Sequence, residues 1–264
     1  MAINQNTTIV TALYDIGREN WSNFRMSYHT YLWWMENTLS LDCNMVIFTE
    51  EKFRETITAN RAKTDPDFKK TKIIVKELKE TNAYKKYGEP LKTLMSSEEF
   101  IAKVSFKDVP EMCQYQYNVV MFGKLLFLKE VYEQNYFPEQ KYLVWADAAG
   151  LRENVSNYKN TIWPNESKLN PDKITFFSHH ENISILVEED HALSQMRFIQ
   201  GTCFIVPTKL INQFNEDFEK IVFDCIGKKY IGSDEKILDF YYLRHSDLCV
   251  LIKSTWREYF NILQ

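Results

Sequence analysis

The sequence predicts an α/β protein: a Rossmann-type mixed sheet, its central strands mostly parallel, with helices on both faces. Three observations lead there. Short runs of β-branched and aromatic residues, too brief for helices, alternate with longer segments of helical period. The 264 residues, 45% hydrophobic and 15% aromatic, suffice for a sizeable core. Finally, the stretch Lys141 to Gly150 reads as a strand that delivers a single acid, Asp147, into small residues and a glycine. In open α/β sheets, ligands collect at such carboxyl ends near a topological switch point. Asp147 is therefore placed to hold a cation or a substrate hydroxyl, although an Asp there also suits a turn.

The elements follow in order. Thr7 to Leu13 reads as the first strand, and Tyr14 to Arg18 as a loop. Trp21 to Leu41 has apolar residues at Phe24, Tyr28, Leu32, Met35 and Leu39, the spacing of a helix that packs one face on a sheet. Trp33 and Trp34 are read as core and flank. Asn44 to Thr49 is a second strand, Glu50 to Arg61 a charged, exposed helix, and Lys72 to Leu78 a third strand. These strands form a Rossmann-like half with right-handed crossovers. Residues 79–108 are helical cover. Pro110 to Asn135 is a long helix with Met121, Leu125, Leu128 and Tyr132 on its buried face, and Pro110 suits its first turn. It leads into the Trp145-Ala146-Asp147 strand.

Beyond Gly150 the periodicity fades, and residues 151–172 read as loop and short helix over the site. Ile174 to Ser178 and Ile183 to Val187 are short strands, with His179, His180 and Glu181 in a turn between them. Gln200 to Pro207 is a strand entered through Gly201, where backbone can approach a ligand closely. Residues 208–226 form an amphipathic helix with Leu210, Ile211, Phe214, Phe218, Ile221 and Val222 inward. At Gly232 to Leu238 a further helix begins. Ser233 or Asp234 suits its cap and Glu235 its positive first turn, yet two adjacent acids there also suit sugar hydroxyls or base catalysis. Leu248 to Leu263, with Trp256, Tyr259 and Phe260, reads as a terminal strand and helix packed on the domain.

Composition excludes several classes. Lys and Arg total 32 against 36 Asp and Glu, a formal net charge of −4, which argues against nucleic acid as partner. The seven glycines form neither G-x-G-x-x-G nor a P-loop. Five scattered cysteines without a C-x-x-C fit buried thiols in a reducing compartment better than zinc or a disulfide framework. No signal peptide or membrane-spanning run is visible, so the N-x-S/T triplets at Asn20 and Asn165 are read as chance.

Four pieces carry a resemblance: Thr8 to Asp15, Tyr142 to Gly150, Gln200 to Pro207, and Gly232 to Leu238. Their order resembles nucleotide-sugar glycosyltransferases of the GT-A fold and, more narrowly, the bacterial HtrL/YibB family. The resemblance implies one GT-A-like domain over residues 1–264, with a nucleotide-sugar-binding half (1–150) and an acceptor-binding half (151–264). It assigns Thr11, Ala12, Tyr14, Arg18 and Asp147 to the donor. An Asp-x-Asp at the end of a central strand would hold Mg²⁺ or Mn²⁺ against the donor diphosphate. This chain has Trp145-Ala146-Asp147-Ala148-Ala149, one acid where the pattern has two. Either Asp147 holds the ion with a later residue such as His245 or His180, or it contacts sugar and ribose with no ion. Asp234 and Glu235 match the downstream acids, with Asp234 the first choice for the base.

The resemblance thus implies a hexosyltransferase that moves a sugar from a nucleotide-sugar donor to a glycan or glycolipid acceptor of lipopolysaccharide or capsule type. It would be cytoplasmic, with at most peripheral contact at the inner face of the membrane. One rival is a catalytically inactive GT-A-like domain that binds a glycan or a partner. Another is a nucleotidyltransferase, which fits poorly because Tyr14 to Arg18 offers one glycine and one arginine for a phosphate loop.

Overall fold

A computed structural model describes residues 6–21, 26–152, 163–255 and 258–264. Seven strands build one mixed sheet: β1 (Thr7–Leu13), β2 (Asn44–Thr49), β3 (Thr71–Val75), β4 (Tyr142–Ala146), β5 (Ile174–Ser178), β6 (Ile199–Pro207) and β7 (Cys249–Lys253). Their spatial order is β3-β2-β1-β4-β6-β5-β7. β1 pairs in parallel with both β2 and β4, β2 with β3, and β5 with β7. β6 runs antiparallel to β4 and β5. The architecture is the mixed, mostly parallel sheet expected of a GT-A-like chain.

Burial on both faces explains the near-continuous apolar strands. On one face, Ile9, Leu13, Met45, Ile47 and Val144 pack against α1 (Tyr28–Leu39), α2 (Glu51–Ala62) and α10 (Tyr259–Ile262). The residues between them, Val10, Val46, Phe48, Leu143 and Trp145, point the other way, as the period of two requires. They meet α3 (Asn82–Met95), α6 (Tyr115–Gln134), α8 (Ile211–Gly227) and α9 (Asp234–Arg244). The short helices α4 (Glu98–Lys103), α5 (Pro110–Cys113) and α7 (Glu188–Leu193) cover the ends of that layer.

Several sequence expectations are corrected. The first helix begins at Tyr28, where Ser27 accepts the Thr30 amide, and Phe24 lies outside the described residues. Trp33 is exposed, not core. α2 is charged, yet it buries Phe53, Ile57 and Arg61. The Arg61 guanidinium donates to the carbonyls of Leu39, Leu41 and Cys43, closing the C-terminal end of α1. β3 ends at Val75, and Leu78 opens a 3-10 turn. The helix expected over Pro110 to Asn135 is two, α5 and α6, because Gln114 adopts an extended conformation. Ile183 to Val187 is not a strand: β6 and β7 already take both edges of β5. Leu186 there is exposed, and α7 follows directly. Residues 153–162 of the expected loop over the site lie outside the described residues, as does Trp256.

Candidate functional site

Only one kind of place in this sheet lets two parallel strands end side by side with their onward connections diverging. β1 and β4 make that place, since β1 has β2 on its other edge. A cleft of about 380 Å³ opens above their carboxyl ends. β1 contributes Ala12, Leu13 and Tyr14, and the turn after β4 contributes Asp147 to Gly150. β6 runs antiparallel to β4, so its first residues reach the same edge and bring Arg197 and Thr202. From α5 and α6 come Glu111, Tyr117, Val120 and Met121.

Beneath the cleft lies a buried charge cluster centred on Lys124, on the sheet-facing side of α6. Its Nζ is 3.0 Å from Asp147 Oδ1 and 2.7 Å from Asp234 Oδ2, and it donates to the Gly201 carbonyl at 2.7 Å. The ammonium thus pairs with two carboxylates and donates to one carbonyl. The Lys124 side chain is only 3% exposed, and such a charge is tolerable only because it is paired. Burial alone would lower its pKa, but Asp147 and Asp234 outweigh that and push it above the usual lysine range. Asp147 Oδ1 also accepts the Trp145 indole N–H at 2.7 Å. Burial raises the Asp147 pKa, opposed chiefly by Lys124. Its side chain keeps 28% exposure, and Lys124 and Trp145 both meet it at Oδ1.

A second cluster lies alongside. Arg197 Nε is 3.1 Å from Glu235 Oε2, and its Nη2 donates to Glu111 Oε1 at 2.6 Å. Glu235 also accepts the Gly201 amide at 3.4 Å. Burial lifts the Glu235 pKa to about 7, with Arg197 opposing and Asp234 adding to the rise. Both clusters depend on Gly201, because a Cβ there would come within 2.4 Å of Asp234 Oδ2 and 3.1 Å of Glu235 Cγ. The glycine expected to approach a ligand instead lets α9 sit on β6.

The cleft mouth carries stacked guanidinium groups. Arg18 lies over Tyr31 at 4.6 Å and Trp21 at 5.0 Å from the ring centroids, and among the described residues no carboxylate pairs with it. Arg152 lies 3.8 Å over Trp34 and donates to the Ala149 carbonyl. Each guanidinium gains cation–π attraction from the ring it covers.

The sequence-predicted residues divide accordingly. Ala12, Tyr14, Arg18 and Asp147 line the cleft. Thr11 is fully buried and does not line it. Asp234 and Glu235 lie one layer behind, against Lys124 and Arg197. Ser233 takes the N-cap position without a side-chain cap bond, and Asp234 and Glu235 both sit in the first turn. His245 is at the opposite end of α9, stacked on Tyr241 and 3.9 Å from Asp217. An eleven-residue helix separates it from Asp234, a rise of roughly 16 Å. His180 packs on Phe198. Among the described residues, no group of three His, Cys, Asp or Glu could hold a metal ion. The position between Asp147 and Asp234 is taken by an ammonium, so the residues present do not fit the divalent ion that the resemblance implies. Lys124, Arg152, Arg197 and Glu111 escaped the sequence reading. Lys124 alone left a clear signal, as the single charge in the apolar run Val119 to Leu128.

No curated protein matches the chain. Among solved structures, the chain is similar to the galactosyltransferase LgtC in complex with donor and acceptor sugar analogues. That match has 9% identity and a TM-score of 0.45, covering 92% of this chain and 72% of that one. It is similar to a glycosyltransferase involved in glycosylating the major capsid of PBCV-1, at 11% identity and TM-score 0.42, covering 94% and 81%. It is also similar to 4-diphosphocytidyl-2C-methyl-D-erythritol synthase from Anaerococcus prevotii DSM 20548, at 9% identity and TM-score 0.43, covering 95% and 90%. The family model of bacterial proteins of unknown function termed HtrL_YibB matches residues 5–264, almost the whole length, and the chain belongs to the HtrL_YibB family.

Proposed function

We propose that this protein is a glycosyltransferase that binds a nucleotide-sugar donor in the cleft above β1 and β4. The observation that carries the reading is the pair Arg18 and Arg152, set at the mouth of that cleft beside Asp147. A donor diphosphate is a compact dianion, and guanidinium forks bind phosphate oxygens in bidentate fashion. Tyr14, Tyr31 and Trp145 supply aromatic wall for the nucleoside.

The three acids divide the work by their depth. Asp147 alone faces the cleft and accepts a hydroxyl of the donor sugar or the ribose. Asp234 fixes Lys124 and Glu235 fixes Arg197, both as positioning residues. As the bond to the donor sugar breaks, negative charge builds on the departing nucleoside diphosphate. Arg18 and Arg152 stabilise it, a preorganised electrostatic contribution. The acceptor is a surface glycan of lipopolysaccharide or capsule type, and the residue transferred a hexose. Among the described residues no helix is long and apolar enough to cross a membrane.

The test is release of nucleoside diphosphate from UDP-, GDP- and dTDP-hexoses, or of CMP from CMP-sugars, in the presence of deacylated bacterial surface glycans. We expect release from one donor class and its loss in Asp147→Asn. Unchanged release in Asp147→Asn would reduce Asp147 to a turn residue. The lone acid at the end of β4 favours one second reading, a binding domain without turnover. That reading predicts saturable donor binding with no release from any donor.

A further inference from the structure

We propose that the donor site works without a divalent cation, its place between the two acids being filled permanently by Lys124 of the chain itself. The inference rests on the transferase reading and specifies how that site handles charge. A divalent ion on a donor diphosphate needs hard oxygen ligands from the protein. The two carboxylates that converge at the end of β4 are Asp147 and Asp234, and both are already turned to the Lys124 ammonium, at 3.0 and 2.7 Å. Asp147 Oδ1 takes the Trp145 indole N–H as well. An ion placed there would press against an ammonium with no room to leave, because Lys124 is buried and bound to the Gly201 carbonyl at 2.7 Å.

Lys124 also lies below the cleft and does not line it. Its ammonium is ion-paired with Asp147 and Asp234 and donates to the Gly201 carbonyl. It therefore holds the acids apart and leaves the diphosphate charge to other cations. Arg18 and Arg152 have that position at the cleft, held by aromatic rings at 4.6 and 3.8 Å. Arg197 contributes less, since Glu111 and Glu235 both pair with it. The division is between a buried cation that replaces the ion structurally and two cleft cations that replace it electrostatically.

The test is calorimetric titration of the metal-stripped full chain with UDP, GDP, CDP and dTDP, once in EDTA and once in Mn²⁺. We expect one nucleotide to bind with the same affinity, within about twofold, in both buffers. A loss of more than about tenfold in EDTA would overturn the inference and leave the transferase reading intact. No binding of any nucleotide in either buffer would overturn both. Lys124→Met frees the two facing carboxylates and should create Mn²⁺ binding that is absent from the wild type, read by the loss of free Mn²⁺ signal in electron paramagnetic resonance. A folded Lys124→Met with no gain would contradict the replacement. Should that variant not fold, Arg18→Gln decides. A lost charged hydrogen bond corresponds to at least about a tenfold weaker nucleotide Kd, and added Mn²⁺ should not restore it. Restoration by Mn²⁺, or an unchanged Kd, would sink the proposal.

Discussion

Lys124 is a case in which the cost of removing one group depends on what it leaves behind. Truncation strands Asp147 and Asp234 side by side in a buried space, so Lys124→Ala should destabilise the fold by about 3–5 kcal/mol. Urea unfolding at neutral pH measures this, and a change below about 1 kcal/mol would mean the cluster is not dry. Glu235 adds a pH dependence. Its folded pKa of about 7 lies above the ordinary 4.5, so between those values the folded chain holds more protons than the unfolded one. Stability from this group is therefore present at low pH and is lost as pH rises through that window. Glu235→Gln should remove the loss, so the urea midpoint of the variant should gain on the wild type between pH 5 and pH 8. A gain in the opposite direction would place the Glu235 pKa below 4.5. Neither residue's role was legible in the sequence. Lys124 is a lone charge in an apolar run, but its partners come from β4, β6 and α9, and only the folded sheet brings these together.

At the scale of elements, the strands and long helices were readable because burial on both sheet faces writes apolar runs and helical periods directly into the chain. β1, β2 and β5 fall where the runs predict, and α8 buries the predicted Ile211, Phe214, Phe218, Ile221 and Val222. Errors arose where context overrides pattern. Ile183 to Val187 has strand composition, but no sheet edge remains beside β5 to receive it. α2 looks like a solvated helix, but Arg61 turns inward to serve three carbonyls. Arg61→Met should leave those carbonyls unpaired and cost on the order of 3 kcal/mol, read by thermal or urea unfolding. A neutral effect would mean water replaces the guanidinium. The contact between β6 and α9 is tested by Gly201→Ala. The new Cβ has no room beside Asp234, so about 1–3 kcal/mol of stability should be lost through overpacking. Nucleotide affinity should fall with it, because Asp147 is held by the same cluster.

The molecule as a whole is organised by one sheet whose two covering layers draw on both halves of the chain. The layer against α6 joins Val10 and Val46 to Phe204 and Phe240, and the opposite layer joins Ile9 to Tyr259. We propose that the halves 1–150 and 151–264 fold as one unit. Far-ultraviolet and near-ultraviolet circular dichroism should then report a single coincident urea transition; two separated transitions would divide the chain. At this scale the sequence was most informative, since strand and helix alternation fixes a sheet with a switch point. Asp147, at the end of a predicted strand, lines the cleft. Arg152 and Arg197 carried no periodic signal, and only tertiary placement shows what they can bind. The most direct test of the central claim is hydrogen exchange of the full chain with and without the nucleotide sugar that it binds. Slowed exchange is expected at residues 12–18, 145–152 and 197–202. Protection elsewhere on the sheet, with these three stretches unchanged, would contradict it.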